Sequence, residues 1–212
     1  MARSAANRVG RIKRHHLRMP HVEPGQVVGL FGGSFNPPHA GHVHVSEQAL
    51  RRLDLSQIWW LVTPGNPLKN NSNLASLKDR IEACEAINTD PRIRITACER
   101  DLPTRYTADT LAHIVERNPG VRFIWIMGAD NLGQFDQWER WRDIANLMPI
   151  TVIDRPGSTL ALHSAKAAQA LRYARIDEND APGLANYRPP AWVFLHGPRN
   201  SLSSTAIRAQ KK

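Results

Sequence analysis

The feature that most restricts the fold of this chain is a repeated change of apolar period. From Gln26 onward, short runs rich in Val, Ile and Trp alternate with stretches whose apolar residues recur every three or four positions. The runs Gln26–Phe31, Gln57–Thr63, Arg92–Thr96, Val121–Met127, Ile150–Ile153 and Trp192–Leu195 read as strands. Between them, Val45, Ala49, Leu50 and Leu53 share one helical face, and so do Leu74, Leu77, Ile81 and Cys84. Further helices are expected over Thr107–Glu116, in the alanine-rich stretch from about Leu160 to Tyr173, and from near Ser204. Strands apolar on both faces, Val121–Met127 above all, call for a parallel sheet covered on both sides. The expectation is an α/β fold: a doubly wound parallel sheet with helices on both faces, forming a single domain over residues 26–212. In such a sheet ligands bind beyond the carboxyl ends of the strands, so the loops there are where chemistry belongs.

Charge separates the beginning of the chain from the rest. The formal net charge is +9, and residues 1–25 hold six basic residues (Arg3, Arg8, Arg11, Lys13, Arg14, Arg18) against Glu23. With little apolar periodicity, this stretch reads as a disordered basic arm. Its prolines and weak amphipathicity argue against an organellar transit peptide. A basic excess placed mostly in a short arm speaks against a nucleic-acid-binding domain, and the remaining excess suits substrates that carry several phosphates. No apolar run reaches the roughly 20 residues of a membrane span, and no secretory h-region opens the chain, so a soluble, cytoplasmic protein with no membrane partner is expected. Cys84 and Cys98 stand in no metal-binding or redox spacing and read as idle thiols.

The densest chemistry lies between the first strand and the first helix, in Gly32-Gly33-Ser34-Phe35-Asn36-Pro37-Pro38-His39-Ala40-Gly41-His42. Glycines let a backbone approach an anion, prolines restrict the loop, and the helix start offers N–H groups and the positive end of a dipole. His39 and His42, three residues apart, can donate to the phosphate bound there. A zinc site built from His39, His42 and His44 is disfavoured, because the segment lacks the His-x-x-x-His helical pairing and a neighbouring Cys, Asp or Glu.

His39-Ala40-Gly41-His42 resembles the (H/T)xGH signature of the nucleotidyltransferase superfamily, and Gly32 to His42 as a whole is similar to the nicotinate mononucleotide adenylyltransferases. Four further segments agree in chain order: Pro64-Gly65-Asn66-Pro67-Leu68-Lys69, Arg105-Tyr106-Thr107-Ala108-Asp109-Thr110-Leu111, Gly128-Ala129-Asp130 with Trp138 and Trp141 downstream, and Ser203-Ser204-Thr205-Ala206-Ile207-Arg208. The resemblance implies a Rossmann-like fold and adenylyl transfer from ATP to nicotinate mononucleotide, with release of pyrophosphate, in NAD biosynthesis. It implies that ATP meets Gly32, Gly33, Ser34, Phe35, His39, His42, Gly128, Asp130, Ser203, Ser204, Thr205 and Arg208, and that His42 and His39 are catalytic. It implies that nicotinate mononucleotide meets Ser34, Lys69, Tyr106, Thr107 and Trp138. Mg²⁺ would be bound mainly through the ATP phosphates, with no protein metal site. Two departures bear on the acceptor: Leu68 stands where a polar residue or histidine is common, and Arg105 where serine is.

The same segments have readings of their own. Ser203, Ser204 and Thr205 form an N-cap cluster with Arg208 a turn later, and Thr107 can cap a helix whose dipole Asp109 complements. Trp138 suits stacking on a pyridine ring, Trp141 either stacking or packing, and Trp59, Trp60, Trp125 and Trp192 read as core. Asp130 follows an apolar strand, where a carboxylate needs a polar partner such as nucleotide hydroxyls. Alternatives to be separated are the same chemistry on nicotinamide mononucleotide or phosphopantetheine and, in a different class, nucleic-acid binding through the arm. No feature assigns an oligomeric state.

Overall fold

The computed structural model describes residues 11–65, 73–104, 106–154 and 164–197. Among them, β1 (Val27–Gly33), β2 (Gln57–Val62), β3 (Ile93–Thr96), β4 (Arg122–Gly128), β5 (Ile150–Ile153) and β6 (Trp192–Leu195) form one sheet in the order β3-β2-β1-β4-β5-β6. Every neighbouring pair is parallel. The α-helices among the described residues are α1 (Ala40–Arg52), α2 (Leu77–Ile87), α3 (Thr107–Arg117), α4 (Ala129–Leu132), α5 (Trp141–Leu147) and α6 (Lys166–Ala170). This is the doubly wound, Rossmann-like arrangement, with its switch of direction between β1 and β4.

Successive strand residues point to opposite faces, and both faces are covered. Leu30, Trp59, Trp125 and Val152 pack with Leu111 and Ile114 of α3, Ile144 of α5 and Ala167 of α6. Their neighbours Phe31, Trp60 and Ile126 pack with Val45 and Ala49 of α1 and with Ile81 and Cys84 of α2 on the other side. Trp59 and Trp60, adjacent in sequence, therefore enter different cores, and both are fully buried. That is why these runs are apolar without alternation. Burial also pushes the thiols of Cys84 and Cys98 up, in keeping with inert sulfurs.

Several elements differ from the sequence expectation: α4 and α5 are not among the expected helices, β4 is shifted by one residue, and three further differences have a clear physical reason. β1 runs through Gly33, two residues further, because Gly32 and Gly33 still pair with Leu61 and Val62 of β2. α2 starts at Leu77, since the Ser76 side chain accepts from the Asp79 amide and so caps the helix after Leu74. The alanine-rich helix is short among the described residues, Lys166–Ala170, followed by a 3-10 turn over Arg172–Ala174. The helix expected near Ser204 lies outside the described residues.

The basic arm is also corrected, for residues 11–25. Arg14–Leu17 form a 3-10 turn, and His16 is buried. The His16 ring meets the Ile95 carbonyl at 3.1 Å and Glu85 at 3.1 Å. Its own carbonyl accepts from the Ala97 amide, and Thr96 donates through Oγ1 to the Arg18 carbonyl. Ile12 and Leu17 pack on one core, and Met19 and Val22 on the other. Apolar residues spaced irregularly in an extended chain escape a periodicity reading, yet they hold this segment against the β3 edge. Residues 1–10 lie outside the described residues. No helix among the described residues is long and apolar enough to cross a membrane.

Gly32 has a packing role beside any ligand role. A Cβ at this position would lie 2.5 Å from Cη2 of Trp125, which is itself buried. The rigid indole cannot yield as an alkyl tip would, so Gly32→Ala should destabilise the fold by about 1–3 kcal/mol. Urea unfolding checks this: a midpoint equal to that of the parent chain would refute it.

Candidate active site

β1 and β4 are neighbours paired from Val27 with Arg122 to Phe31 with Ile126. Two residues beyond the last pair, in the same register, stand Gly33 and Gly128, so the glycine loop and the Gly128-Ala129-Asp130 segment leave the sheet side by side. The switch point thus brings together two segments almost a hundred residues apart in the chain. Asp130 is exposed at the start of the short α4. Burial therefore does not demand a partner for its carboxylate, as the apolar strand before it suggested.

The loop is held by three sets of contacts. Phe35 adopts a left-handed backbone conformation, φ 46°, which is uncommon for a residue other than glycine. Packing secures it: the ring is buried, stacks on Trp60 with centroids 5.0 Å apart and lies 4.7 Å from the His42 ring. Phe35 thus supports the loop from beneath, and its buried ring leaves only its backbone facing the loop surface. Asn36 ties the loop to the chain ahead of α2, donating to the Asn73 carbonyl at 3.0 Å and accepting from the Ala75 amide at 3.2 Å.

The third support is Arg80, 3% exposed. Its guanidinium donates to the carbonyls of Ser34 and Thr63 at 2.7 Å each and of Ala75 at 3.0 Å. The loops after β1 and β2 and the start of α2 are fastened to one cation. Burial lowers the pKa of this group against a smaller opposing effect of Cys84, but a guanidinium stays charged throughout the working range. Sequence reading missed Arg80. Its signal is a basic residue at a helical position flanked by the apolar Leu77, Ile81 and Cys84, where a solvated arginine is out of place.

The two histidines form a reciprocal cap at the start of α1. His39 Nδ1 accepts from the Gly41 amide at 3.0 Å, and His42 Nδ1 accepts from the His39 amide at 3.2 Å. The rings lie 3.9 Å apart between centroids. A nitrogen that accepts from an amide carries no proton, so each neutral ring keeps its proton on Nε2. His39 is buried and His42 only partly so, which leaves His42 as the ring nearer the loop surface. Ser46 Oγ donates to the His42 carbonyl and accepts from Trp60 Nε1, locking the first turn of α1 onto β2.

The segments expected to meet the acceptor lie at the start of α3. Tyr106 is the N-cap residue, and no side chain caps the helix. Thr107 is instead its first residue, and Thr104 Oγ1 accepts from the Tyr106 amide. The Thr107 cap is corrected: an extended Tyr106 precedes the helix, so Thr107 already has a helical backbone and its hydroxyl makes no cap. Asp109 takes a hydrogen bond from Thr104 at 2.8 Å and pairs with Arg140 at 2.6 Å. Arg140, at left-handed φ 56°, also pairs with Asp143 at 2.7 Å. Through it the α3 start is tied to the segment that carries Trp138. Trp138 is partly buried and edge-on to Trp125 and Phe135, while Trp141 is core. Lys69, Arg105, Ser203, Ser204, Thr205 and Arg208 lie outside the described residues.

Glu99 is a further group on this rim that sequence reading missed. It follows β3 in the 3-10 turn Cys98–Asp101, and burial pushes its carboxyl up to about 7 against a hydrogen bond with Thr63.

Comparison with known proteins bears on the fold and the family. Residues 30–210 match the family model described as cytidylyltransferase-like. The chain is 64% identical to the probable nicotinate-nucleotide adenylyltransferase of Agrobacterium fabrum, over 88% of this chain and 100% of that one. It is 59% identical to the protein of the same description from Methylorubrum extorquens, over 86% and 99%. Among solved structures, the nicotinic acid mononucleotide adenylyltransferase of Plasmodium falciparum complexed with NaAD superposes with a TM-score of 0.60 at 20% identity, over 87% of this chain and 83% of that one, a likeness of fold. The fold and the loop at its switch point therefore define a nucleotidyltransferase of the cytidylyltransferase-like family. Within that family the chain belongs to the nicotinate-nucleotide adenylyltransferases, enzymes of NAD biosynthesis.

Two outcomes are expected from the supports of the site. Arg80→Ala leaves the part-buried carbonyls of Ser34, Thr63 and Ala75 without this donor and should cost about 3 kcal/mol with a large loss of activity; Arg80→Lys, lacking the fork, should recover less than half of either. Urea unfolding and turnover of the three proteins check this, and full recovery by lysine would refute it. For Glu99, a folded pKa above the unfolded value means the native state binds the proton more tightly. Its stabilising contribution is therefore whole below about pH 4.5 and is lost as pH rises through about 7. Glu99→Gln should flatten unfolding stability over that window; an unchanged pH slope would rule the linkage out.

Proposed function

We propose that the reaction is in-line attack of the nicotinate mononucleotide 5'-phosphate on the α-phosphorus of ATP at the C-terminal ends of β1 and β4, in the cytoplasm. The observation that carries this reading is the reciprocal histidine cap. It fixes two Nε2–H donors at the start of a helix whose dipole already favours an anion. His42 stabilises charge on the α-phosphate as the bond to pyrophosphate breaks, and His39 holds the His42 ring and adds to the donor field. Gly32, Gly33, Ser34 and Phe35 take the triphosphate along their backbone, and Gly128 and Asp130 take the nucleotide at the adjoining strand end. Ser203, Ser204, Thr205 and Arg208 join on the strength of their motif. No covalent intermediate with the enzyme is needed, so the protein's work is positioning and electrostatics.

The acceptor lies along Ser34, Lys69, Tyr106, Thr107 and Trp138. The uncapped start of α3 supports this placement: amide N–H groups there suit the nicotinate carboxylate, and Trp138 suits the ring. Mg²⁺ enters as part of the MgATP substrate. Among the described residues, the three-residue grouping that could hold a metal is His15, His16 and Glu85 at the β3 edge, away from the glycine loop. The ion neutralises triphosphate charge.

The deciding experiment measures pyrophosphate release from MgATP with nicotinate mononucleotide, nicotinamide mononucleotide or phosphopantetheine, for the parent chain and His42→Ala. Strong preference for nicotinate mononucleotide is expected, with turnover in the variant down by about 10²–10³ and substrate affinity nearly unchanged. Equal turnover in the variant would remove His42 from the chemistry, and preference for another acceptor would replace the substrate.

A further inference from the structure

The folding of residues 11–18 against β3 creates a second cationic region away from the glycine loop. A cleft of about 770 Å³ lies between this segment and the 3-10 turn after β3, lined by Arg11, Lys13, Arg14, Arg18, Arg100 and Asp101, with Ile12 and Leu17 as its apolar part. Five cations thus face one carboxylate. Lys13 pairs with Glu85 at 3.5 Å and Arg100 with Asp101 at 2.7 Å. Arg11, Arg14 and Arg18 have no carboxylate within salt-bridge distance among the described residues.

Like charges crowded on one wall repel one another, and flexible exposed arginines would ordinarily spread apart. Here the backbone beneath them is fixed. His16 is pinned by Ile95 and Glu85, the carbonyls of His16 and Arg18 accept from residues 96 and 97, and Ile12 and Leu17 are packed on the core. We propose that this cleft is a binding site for a linear oligophosphate, separate from the site of adenylyl transfer. The volume falls in the range of small-ligand sites, and guanidinium groups pair with phosphate oxygens two at a time. A chain of phosphates satisfies several of these cations together, which a single anion does not. Among the described residues no aromatic ring lines the cleft, which gives single-stranded nucleic acid no stacking platform there. β2 separates β3 from β1 by roughly 10 Å across the sheet, and the cleft lies on the β3 side of it.

The test is calorimetric titration of the full chain with inorganic tripolyphosphate, compared with the double variant Arg14→Ala/Arg18→Ala. Both residues are exposed and outside the catalytic machinery, so turnover should be unchanged. The single variants Arg14→Gln and Arg18→Gln serve if the double variant does not fold. The parent is expected to bind one equivalent more than the double variant, and each single variant to weaken that equivalent about tenfold, with steep salt dependence. The difference of one equivalent holds whether or not the glycine loop takes the anion too, so its outcome is independent of the proposed reaction. Equal stoichiometry and affinity in parent and variants would overturn the site. A single-stranded oligonucleotide of equal charge that displaces tripolyphosphate efficiently would overturn it in favour of nucleic acid.

Discussion

The candidate site depends on one buried cation. Arg80 has no carboxylate partner among the described residues; the carbonyls of Ser34, Thr63 and Ala75 take its place. Burying a guanidinium costs several kcal/mol, and three short hydrogen bonds in a low-dielectric setting offset much of that. What the fold gains is geometry: three separate segments are held in register at the strand ends. It also gains a fixed positive charge beneath the glycine loop. A carboxylate partner for Arg80 would have cancelled that field, whereas carbonyl dipoles hold the cation and leave most of it.

Above that cation the loop stores modest strain. Phe35 has a positive φ, and such a conformation costs on the order of 1 kcal/mol or more for a residue with a side chain. The stack of Phe35 on Trp60, with Trp60 anchored to Ser46, repays it through packing. The same stack sets the His42 ring, which is also held by the His39 amide. The imidazole therefore has its orientation and tautomer decided before any ligand arrives. For the reaction proposed, in which the protein would supply electrostatics rather than bonds, such preorganisation is the main resource.

The strands, their parallel pairing and the loop between β1 and α1 were legible because they rest on local pattern: unbroken apolar runs, glycines and a helix start. Trp59 and Trp60 were readable as core for the same reason. Arg80 was not, because its role lies in which distant carbonyls it reaches, and periodicity only marks it as a basic residue on an apolar face. The cap at α3 was misplaced by one residue, since Thr107 and Thr104 offer equivalent hydroxyls and only the extended backbone of Tyr106 decides between them. Residues 11–25 were misjudged because charge masks their anchors. Ile12, Leu17, Met19 and Val22 follow no helical or strand period, yet each lands on a core.

That last case bears on how basic residues are read. The net charge of the first 25 residues argued for a solvated arm, and solvation of charged side chains is what the sequence alone supports. Once His16 and two backbone carbonyls fix the segment, the same arginines become a constrained array whose mutual repulsion is part of the folded state. A constrained array and a mobile tail of identical composition attract polyanions differently. The tail adapts and discriminates little, while the array has a spacing that favours anions matching it. The two phosphate sites proposed for this chain would therefore work by different physics. At the glycine loop, amides and neutral imidazoles provide directed donors suited to a charge that changes during reaction. At the β3 edge, formal charges on long side chains provide a field suited to one that does not.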